Sequence, residues 1–384
     1  MSAAPSTAAA ATTATASTWP EAVEAIALPV LALGAALLAF GAFVWFSGQS
    51  PTEVWTLLFM GAFGDSFSWQ NTLQRAAPLM LTALCVALPK QAGLMVIGGE
   101  GALVLGGLAC AGLPLLLPLP DGTLGTVLVL LASALAGAAW LLPVGALRQW
   151  RGVNETISSL LMGYIAIGLF KHFVEGPMRD PASLNKPSTL PLPDGALLGL
   201  IPGYEVHWGL VIGTVACALA AVWLYGSTHG FAARVVGGNA RAARLVGLPS
   251  NRLILSACAL GGAGAGLAGG IEVAAVHTSA NASLIAGLGY TGILVSFVAR
   301  HNPLAIVPVA ILFGGFGAAG SLLQRRLELP DASVQVLQGF AFVMILASEA
   351  LRGRVSAWLR QRQAQAGRVM RGEGLLATAG KDVA

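Results

Sequence analysis

Long stretches without charged side chains divide the chain into apolar segments of similar length. Ten runs lack Asp, Glu, Lys and Arg: 25–52, 76–89, 101–120, 122–147, 156–170, 206–233, 253–271, 273–299, 301–324 and 332–348. A helix needs about 20 mostly apolar residues to cross a bilayer, and fewer when flanking charged side chains reach the headgroups. The pattern therefore predicts an all-α integral membrane protein with about ten transmembrane helices.

The composition supports this class and excludes several others. Of the 384 residues, 56% are hydrophobic and only 10% are charged, which is untypical of a water-soluble domain. The four cysteines stand singly in separate apolar runs, so neither a disulfide framework nor a metal site is predicted. We expect the net charge of +4 to reflect membrane topology, and no nucleic-acid partner is predicted.

The positions of the basic residues predict the orientation in the membrane. With the N-terminus in the cytoplasm, fifteen of the 21 Lys and Arg residues fall on the cytoplasmic side, which favours N-in and C-in. We expect residues 1–23 to form a disordered cytoplasmic tail and residues 24–351 to form the transmembrane domain. Residues 352–384 then form a basic cytoplasmic tail that binds anionic membrane lipid.

Two connections between the apolar runs are long for a helical bundle. Residues 175–206 contain six prolines and lie outside in this orientation, where they are expected to form an ordered cap or a lid. Residues 227–251 lie inside and contain a candidate short amphipathic helix from Asn239 to Leu248. Asn239 is its expected N-cap and Gly247 its expected C-terminal stop.

Glycine is the second feature of the pattern, with 49 residues. The cluster at 261–270 predicts a tight helix–helix seam, because small residues let helix backbones approach closely in lipid. Gly98 and Gly99 precede Glu100, and glycines beside an acidic residue are also typical of a broken helix that lines a cavity.

Few ionisable residues are candidates for function inside the membrane. Glu100 follows Lys90 by about 15 Å of helix, which places it near the middle of the bilayer. Two interpretations remain open: a place on a solute pathway, or a structural anchor that accepts backbone N–H groups at a helix break. Asn154 and Glu155 lie near the cytoplasmic surface, where a helix cap and a pathway role are both compatible with the sequence.

Catalytic motifs are not found in the sequence. The chain contains no GxxxxGK[ST], so it is not expected to bind ATP through a P-loop, and it contains no GxSxG or HExxH. These absences argue against an intramembrane enzyme, and we expect no metal and no cofactor bound by this chain.

The order of five motifs resembles the permease subunits of ABC importers of the branched-chain amino acid/ribose type, in the nucleoside and simple-sugar branch. The motifs are AGLMVIGGEGALVLGG (92–107), GVNETISSLLMGYIA (152–166), EGPMRDP (175–181), GFAARVVGGNARAARLVGL (230–248) and GLGYTGILVSFVARHNPLAIVPVAILFGG (287–315).

The resemblance implies a multi-pass protein of the bacterial plasma membrane that moves a small polar solute. It implies a second permease subunit, two ATP-binding subunits that hold ATP-Mg, and an external solute-binding lipoprotein. The ATPase-coupling helix would comprise Asn239, Ala240, Arg241, Ala242, Ala243, Arg244, Leu245 and Gly247. The candidates for the translocation pathway are Gly98, Gly99, Glu100, Asn154, Glu155, Tyr290 and Thr291.

One alternative function belongs to another class. In a cation-coupled secondary transporter, Glu100 would carry protons or ions within the membrane. Energy dependence separates the two hypotheses, because an uncoupler would stop a secondary transporter whereas ATP depletion would stop an ABC importer.

Overall fold

The computed structural model describes residues 19–120, 122–330 and 332–351, and these residues form thirteen α-helices. The helices are α1 Trp19–Phe46, α2 Pro51–Phe63, α3 Ser66–Gln91, α4 Gly99–Leu116, α5 Thr123–Arg151, α6 Glu155–Glu175, α7 Gly209–Gly226, α8 Thr228–Gly238, α9 Ala240–Leu245, α10 Ser250–Ile271, α11 Leu288–Val298, α12 Pro303–Leu327 and α13 Ala332–Leu351. Helix α1 begins before residue 24, the predicted boundary of the transmembrane domain. Residues 1–18 and the predicted C-terminal tail 352–384 lie outside the described residues.

Nine helices in the described part of the chain are long and apolar enough to cross a membrane. A further apolar segment, Ala282–Val298, is shorter. The predicted all-α membrane class is therefore confirmed. Where about ten transmembrane helices were predicted, the described residues contain nine candidate spans and one shorter apolar segment. The N-in and C-in orientation stays a prediction.

The chain divides into two compact units. One comprises the residues up to Phe40 and those from Gly339 onward, so it contains most of α1 and the later part of α13. The other, Gly41–Gln338, contains α2 to α12 and all the features described below. In this unit α10 packs against α3, α4 and α5, and α3 also packs against α7, α11 and α12.

The predicted seam at 261–270 is present where α10 meets α4 and α5. A Cβ atom on Gly266 would lie 2.9 Å from the Cα of Gly137, and a Cβ on Gly137 would lie 2.7 Å from the Cα of Gly266. A Cβ on Gly269 would lie 2.9 Å from the backbone nitrogen of Gly107 on α4. These glycines therefore allow backbone-to-backbone contact that any larger residue would prevent.

The apolar run 273–299 was expected to form one span, and this expectation is wrong. Helix α10 continues as a π-helical turn, Glu272–His277, and then stops at Thr278, which has a left-handed φ of 56°. Asn281 accepts a hydrogen bond from Ser283 N at 2.9 Å, and α11 starts only after Gly287, with φ 79°. Short polar side chains that bond to the local backbone compete with the helix, and a count of charges does not detect them.

The proline-rich connection after α6 is an ordered cap, as one of the two interpretations proposed. It packs along the irregular segment that follows α10 through backbone hydrogen bonds. Thr189 N donates to Ala280 O at 2.9 Å, and Leu192 N donates to Thr278 O at 2.8 Å. The cap therefore stabilises the break between α10 and α11.

Two helices differ from the sequence expectation near the start of this unit. Helix α2 was not predicted, because Glu53 interrupts the apolar pattern there. Helix α3 starts at Ser66, earlier than the run 76–89 suggested, and Asp65 caps it by accepting from Ser68 N at 2.6 Å. This hydrogen bond lowers the pKa of Asp65, since it stabilises the ionised carboxylate.

Candidate functional site

A short non-helical segment, residues 92–98, connects α3 to α4 and organises the candidate site. Helix α3 ends in a turn in which Gly93 N donates to Lys90 O at 3.0 Å and Leu94 N donates to Pro89 O at 3.1 Å. Gly93 takes the left-handed conformation, with φ 83°, that commonly ends a helix. We call residues 91–100 the linker segment, since it includes the last residue of α3 and Glu100 on α4.

The linker segment is attached to the first turns of α6. Ile97 N donates to Ser159 Oγ at 3.0 Å, and Thr156 Oγ1 donates to Met95 O at 3.0 Å. Met95 N also lies 3.5 Å from Glu155 Oε1. These side chains satisfy backbone groups that have no helical partner, which is how extended chain is tolerated within a membrane protein.

Glu100 caps the broken helix α11. Its Oε1 accepts from Gly287 N at 2.8 Å, its Oε2 accepts from Gly289 N at 2.6 Å, and the residue is only 1% exposed. A Cβ on Gly289 would lie 2.6 Å from Glu100 Cα, so the approach requires glycine. The structure thus contains the interaction that the anchor interpretation anticipated, whereas a role of Glu100 on the pathway stays a prediction.

The neighbours of Glu100 indicate that it lies deep within the bundle. A Cβ on Gly101 would lie 2.7 Å from the Cα of Gly163. Gly163 is eight residues from the start of α6, which corresponds to about 12 Å of helix. A carboxylate at this depth is costly unless it is hydrogen-bonded, and the N–H groups of Gly287 and Gly289 at the start of α11 supply those bonds.

The opposite end of α11 is held by the same segment. Gln91 Nε2 donates to His301 O at 3.1 Å, and His301 Nδ1 lies 2.9 Å from Ser296 Oγ. Arg300 and His301 both have left-handed backbone conformations, with φ of 54° and 57°. Burial and the nearby positive charge of Lys90 lower the pKa of His301 to about 4, so its imidazole is neutral at pH 7.

Tyr290 and Thr291 follow directly after the residues that Glu100 binds. Tyr290 is 41% exposed and interacts electrostatically with Glu100 and with Tyr164, which is 60% exposed near the middle of α6. Thr291 Oγ1 lies 3.0 Å from Gln338 Oε1. The structure therefore places Glu100, Tyr290 and Thr291 together.

Sequence reasoning missed Tyr164, Gln338, Ser159 and Gln91. Only Tyr164 carried a usable signal, because an aromatic hydroxyl in the middle of an apolar run is unusual away from the membrane interface.

The other pathway candidates have local structural partners. Asn154 Oδ1 caps α6 by accepting from Thr156 N at 2.9 Å and from Ile157 N at 3.2 Å. Glu155 forms an ion pair with Arg148 at 3.3 Å. The two remaining candidates precede Glu100. A Cβ on Gly98 would lie 3.1 Å from the carbonyl carbon of Ser159, and one on Gly99 would lie 3.5 Å from Cys85 Sγ.

The predicted short helix of the 227–251 connection is present as α9. Asn239 Oδ1 accepts from Arg241 N and Ala242 N, both at 3.0 Å. The helix ends at Leu245, earlier than expected, and Gly247 has the left-handed φ of 81° expected of a stop. Its outward surface consists of Arg241, Ala242, Arg244 and Leu245, and Val246 follows, whereas Ala243 is buried and Ala240 is half-buried.

The side chains of α9 leave an unusual apolar surface. Leu245 is 89% exposed and Val246 is 73% exposed, and two arginines lie beside them. A mixed apolar and basic surface on a capped helix is typical of a protein contact.

A cleft separates α9 from the linker segment and the end of α5. Its lining comes from five parts of the chain: Ala92, Gly93, Leu94, Arg148, Gln149, Val236, Gly237, Ala240, Arg244, Asn251 and Ile254. Gly93 and Gly237 meet there, since a Cβ on Gly93 would lie 3.1 Å from Gly237 Cα. The linker segment therefore connects the neighbourhood of α9 with the buried carboxylate.

The family is decided by comparison with known proteins. Residues 68–347 match the family of the branched-chain amino acid transport system permease component. The chain belongs to this family. It is thus a membrane-embedded transport subunit and not itself an enzyme, and it is a multi-pass protein of the plasma membrane.

Several curated relatives cover most of this permease. It is 32% identical to the glucose ABC transporter permease protein TsgB13 of Haloferax volcanii, over 84% of this chain and 87% of the relative. It is 26% identical to the guanosine ABC transporter permease protein NupP of Bacillus subtilis, over 85% and 94%. It is 27% identical to the nucleoside ABC transporter permease protein NupB of Lactococcus lactis, over 75% and 82%.

Proposed function

We propose that this permease is the membrane-spanning subunit of an ATP-binding cassette importer for a nucleoside or a simple sugar. The main support is the match to the permease family over residues 68–347, together with relatives named for glucose, guanosine and nucleosides. ATP-Mg binds to partner ATP-binding subunits, and an external solute-binding lipoprotein delivers the solute. A second permease subunit, identical or related, completes the pathway.

In this proposal α9 is the contact with the ATP-binding subunit. A helix of six residues would unwind easily in isolation, but the Asn239 cap and the Gly247 stop fix both of its ends. The exposed Arg241 and Arg244 supply positive charge and Leu245 supplies an apolar anchor. A groove with acidic rims on the partner would complement this surface.

The solute pathway passes the broken helix α11. Tyr290 and Tyr164 present aromatic rings with hydroxyl groups at the surface of the described chain, and Gln338 presents an amide beside Thr291. Rings and hydrogen-bonding groups suit a nucleoside or a sugar, which combines a flat or apolar face with several hydroxyls. Glu100 contributes by fixing α11. Both of its oxygens accept from backbone N–H groups, so the residue that the cation-coupled alternative would use as an ion carrier is already hydrogen-bonded.

Purification of the tagged permease from gently solubilised native membranes tests the proposal. Mass spectrometry should find an ATP-binding subunit and a permease subunit in fixed ratio. The double variant Arg241→Glu/Arg244→Glu should lose the ATP-binding subunit, because it places negative charge against an acidic groove. The double variant Arg325→Glu/Arg326→Glu is the matched control, since it reverses two exposed arginines at the end of α12.

Two outcomes would oppose the proposal at different levels. Recovery of the wild-type chain without an ATP-binding subunit would refute the importer assignment. Equal recovery of that subunit with the α9 double variant and with the control would refute the assignment of α9 as the contact.

A further inference from the structure

We infer that the linker segment 91–100 transmits movement from the neighbourhood of α9 to α11, with Glu100 and Ser159 as positioning residues. This inference rests on the proposed function, because it assumes that an ATP-binding subunit moves α9. The inference goes beyond that function by naming the atoms through which the movement reaches α11, the helix beside the proposed pathway.

The first connection is a contact between backbones. Gly93 lies against Gly237, which is three residues before the first residue of α9, and a Cβ on Gly237 would lie 3.0 Å from Gly93 N. No side chain separates the backbone at Gly93 from the backbone at Gly237. Close-packed contacts of this kind do not compress, so a displacement of residue 237 displaces the linker segment.

The second connection joins the linker segment to α6. Ser159 Oγ accepts from Ile97 N and itself donates to Thr156 O at 3.0 Å, so one hydroxyl connects the segment with the helix. Thr156 Oγ1 donates to Met95 O two residues earlier. These bonds attach residues 95 and 97, which shortly precede Glu100, to the first turns of α6.

The third connection consists of hydrogen bonds to both ends of α11. Glu100 binds Gly287 N and Gly289 N at the start of the helix, and Gln91 binds His301 O just beyond its end. Helix α11 has eleven residues and is therefore about 16 Å long. A single segment of ten residues thus holds the whole helix.

The ends of α11 have the geometry of hinges. Thr278 and Gly287 precede the helix, and Arg300 and His301 follow it, all with left-handed φ values. Because the helix is interrupted at both ends, the short α11 can move as one body while the long helices around it stay in place. Because Tyr290 lies on this helix, such a movement would change the surface that faces the solute.

Both oxygens of Glu100 are needed for this attachment. A glutamine at this position would keep one acceptor oxygen but would turn an NH₂ group toward a backbone N–H donor. Ser159→Ala would remove the acceptor of Ile97 N while leaving Glu100 unchanged. The two variants therefore test the same path at two independent points.

The experiment uses the complete complex, co-purified with its partner subunits and reconstituted with the solute-binding protein in proteoliposomes. Uptake of radiolabelled guanosine or glucose, whichever the wild type carries, and ATP hydrolysis are measured together. For Glu100→Gln and Ser159→Ala we expect solute moved per ATP hydrolysed to fall about tenfold, with hydrolysis retained, because a lost bond to a charged or buried group has this size. Ser159→Thr, which keeps the hydroxyl, should restore the ratio.

Matched controls separate this effect from general damage. Glu272→Gln makes the same change at another buried carboxylate, whose Oε2 lies 3.6 Å from His277 Nε2. Ser133→Ala removes a buried hydroxyl that donates to Val129 O on its own helix. Both should keep the wild-type ratio. Wild-type ratios in Ser159→Ala and Glu100→Gln, or an equal fall in the controls, would overturn the inference. Absence of ATP-driven uptake in the wild type would instead refute the proposed function.

A second measurement follows α11 without relying on transport. Tyr290→Cys places a thiol on an exposed position, and the four native cysteines are buried. The rate of maleimide labelling should change when a non-hydrolysable ATP analogue binds the complex. Adding Glu100→Gln should abolish that change, and persistence of the change in the double variant would overturn the inference.

Discussion

Glu100 shows how a single residue can be both costly and structural. Transfer of a carboxylate into an apolar interior costs several kcal/mol, even after relaxation. Two backbone hydrogen bonds offset this cost, since each bond to a charged group contributes about 1.5–3 kcal/mol. The start of α11 adds its partial positive charge at the same point. The carboxylate and the helix break therefore stabilise each other.

Glu155 lies in a different environment and has a different role. Its partner Arg148 is 46% exposed, and ion pairs of this kind contribute about 0–1 kcal/mol. The contribution of Glu155 to the fold therefore depends on its position at the start of α6, where negative charge is favourable, and on its contact with Met95 N.

His301 makes stability depend on pH. Its pKa in the folded protein is about 4, below the usual 6.5, because of burial and then Lys90. Between pH 6.5 and 4 the unfolded chain binds a proton that the folded chain does not, so stability should fall as pH falls, by about 3 kcal/mol at most. Thermal unfolding of the detergent-solubilised protein across this range measures the slope.

His301→Asn is the variant for this measurement. Asparagine tolerates the left-handed backbone at this position but does not titrate, so the slope between pH 6.5 and 4 should become shallower than in the wild type. His172→Asn, at an exposed position on α6, is the control and should keep the wild-type slope. Equal slopes in all three proteins would contradict the assignment.

Among the elements, α5 and α10 meet along a seam that has no room for an added methyl group. At Gly266 a methyl group would lie 2.9 Å from Gly137 Cα, and backbone cannot move aside as a flexible side chain can. Gly266→Ala should therefore lower the stability by about 1–3 kcal/mol, the usual cost of overpacking. The midpoint of thermal unfolding in detergent measures the effect.

Gly168→Ala provides the comparison for this element. No atom lies within 4 Å of a Cβ at Gly168, and alanine favours a helix more than glycine does. Its unfolding midpoint should equal or exceed that of the wild type. An unfolding midpoint for Gly266→Ala as high as that of Gly168→Ala would show that the helices can separate enough to admit a methyl group.

The elements also show where sequence reasoning succeeds. The length of the charge-free runs predicted the membrane class. Asn239 predicted the N-cap of a short helix and Gly247 a left-handed stop just beyond it, because caps are local chemistry. The same approach joined residues 273–299 into one span. Runs of apolar residues indicate burial in lipid. Whether a helix continues through such a run also depends on side chains such as that of Asn281, which hydrogen-bond to the local backbone in place of helical partners.

At the scale of the whole molecule, the site was only partly predictable. Glu100 could be found because a lone carboxylate among glycines is exceptional in a membrane helix. Its partners could not, since Gly287 and Gly289 lie about 190 residues away and their N–H groups are identical in kind to those of every other residue. Gln91 and Ser159 likewise act through distant backbone atoms, so only the fold identifies them.

At the scale of the whole molecule, the chain is a permease subunit of a transport system, and three of its proposed roles lie along one path. Helix α9 presents a basic and apolar surface, the linker segment joins its neighbourhood to Glu100, and α11 carries Tyr290 beside it. The proposed importer uses this path in one direction, from nucleotide-driven movement at α9 to the surface that meets the solute.

The most direct test of this account is uptake by proteoliposomes that contain the complete co-purified complex, in the presence of the solute-binding protein. Uptake of guanosine or glucose should require ATP on the side of the ATP-binding subunits and should persist when an ionophore abolishes all ion gradients. Uptake driven by an ion gradient without ATP, and stopped by the ionophore, would contradict the account and would assign this chain to ion-coupled transport.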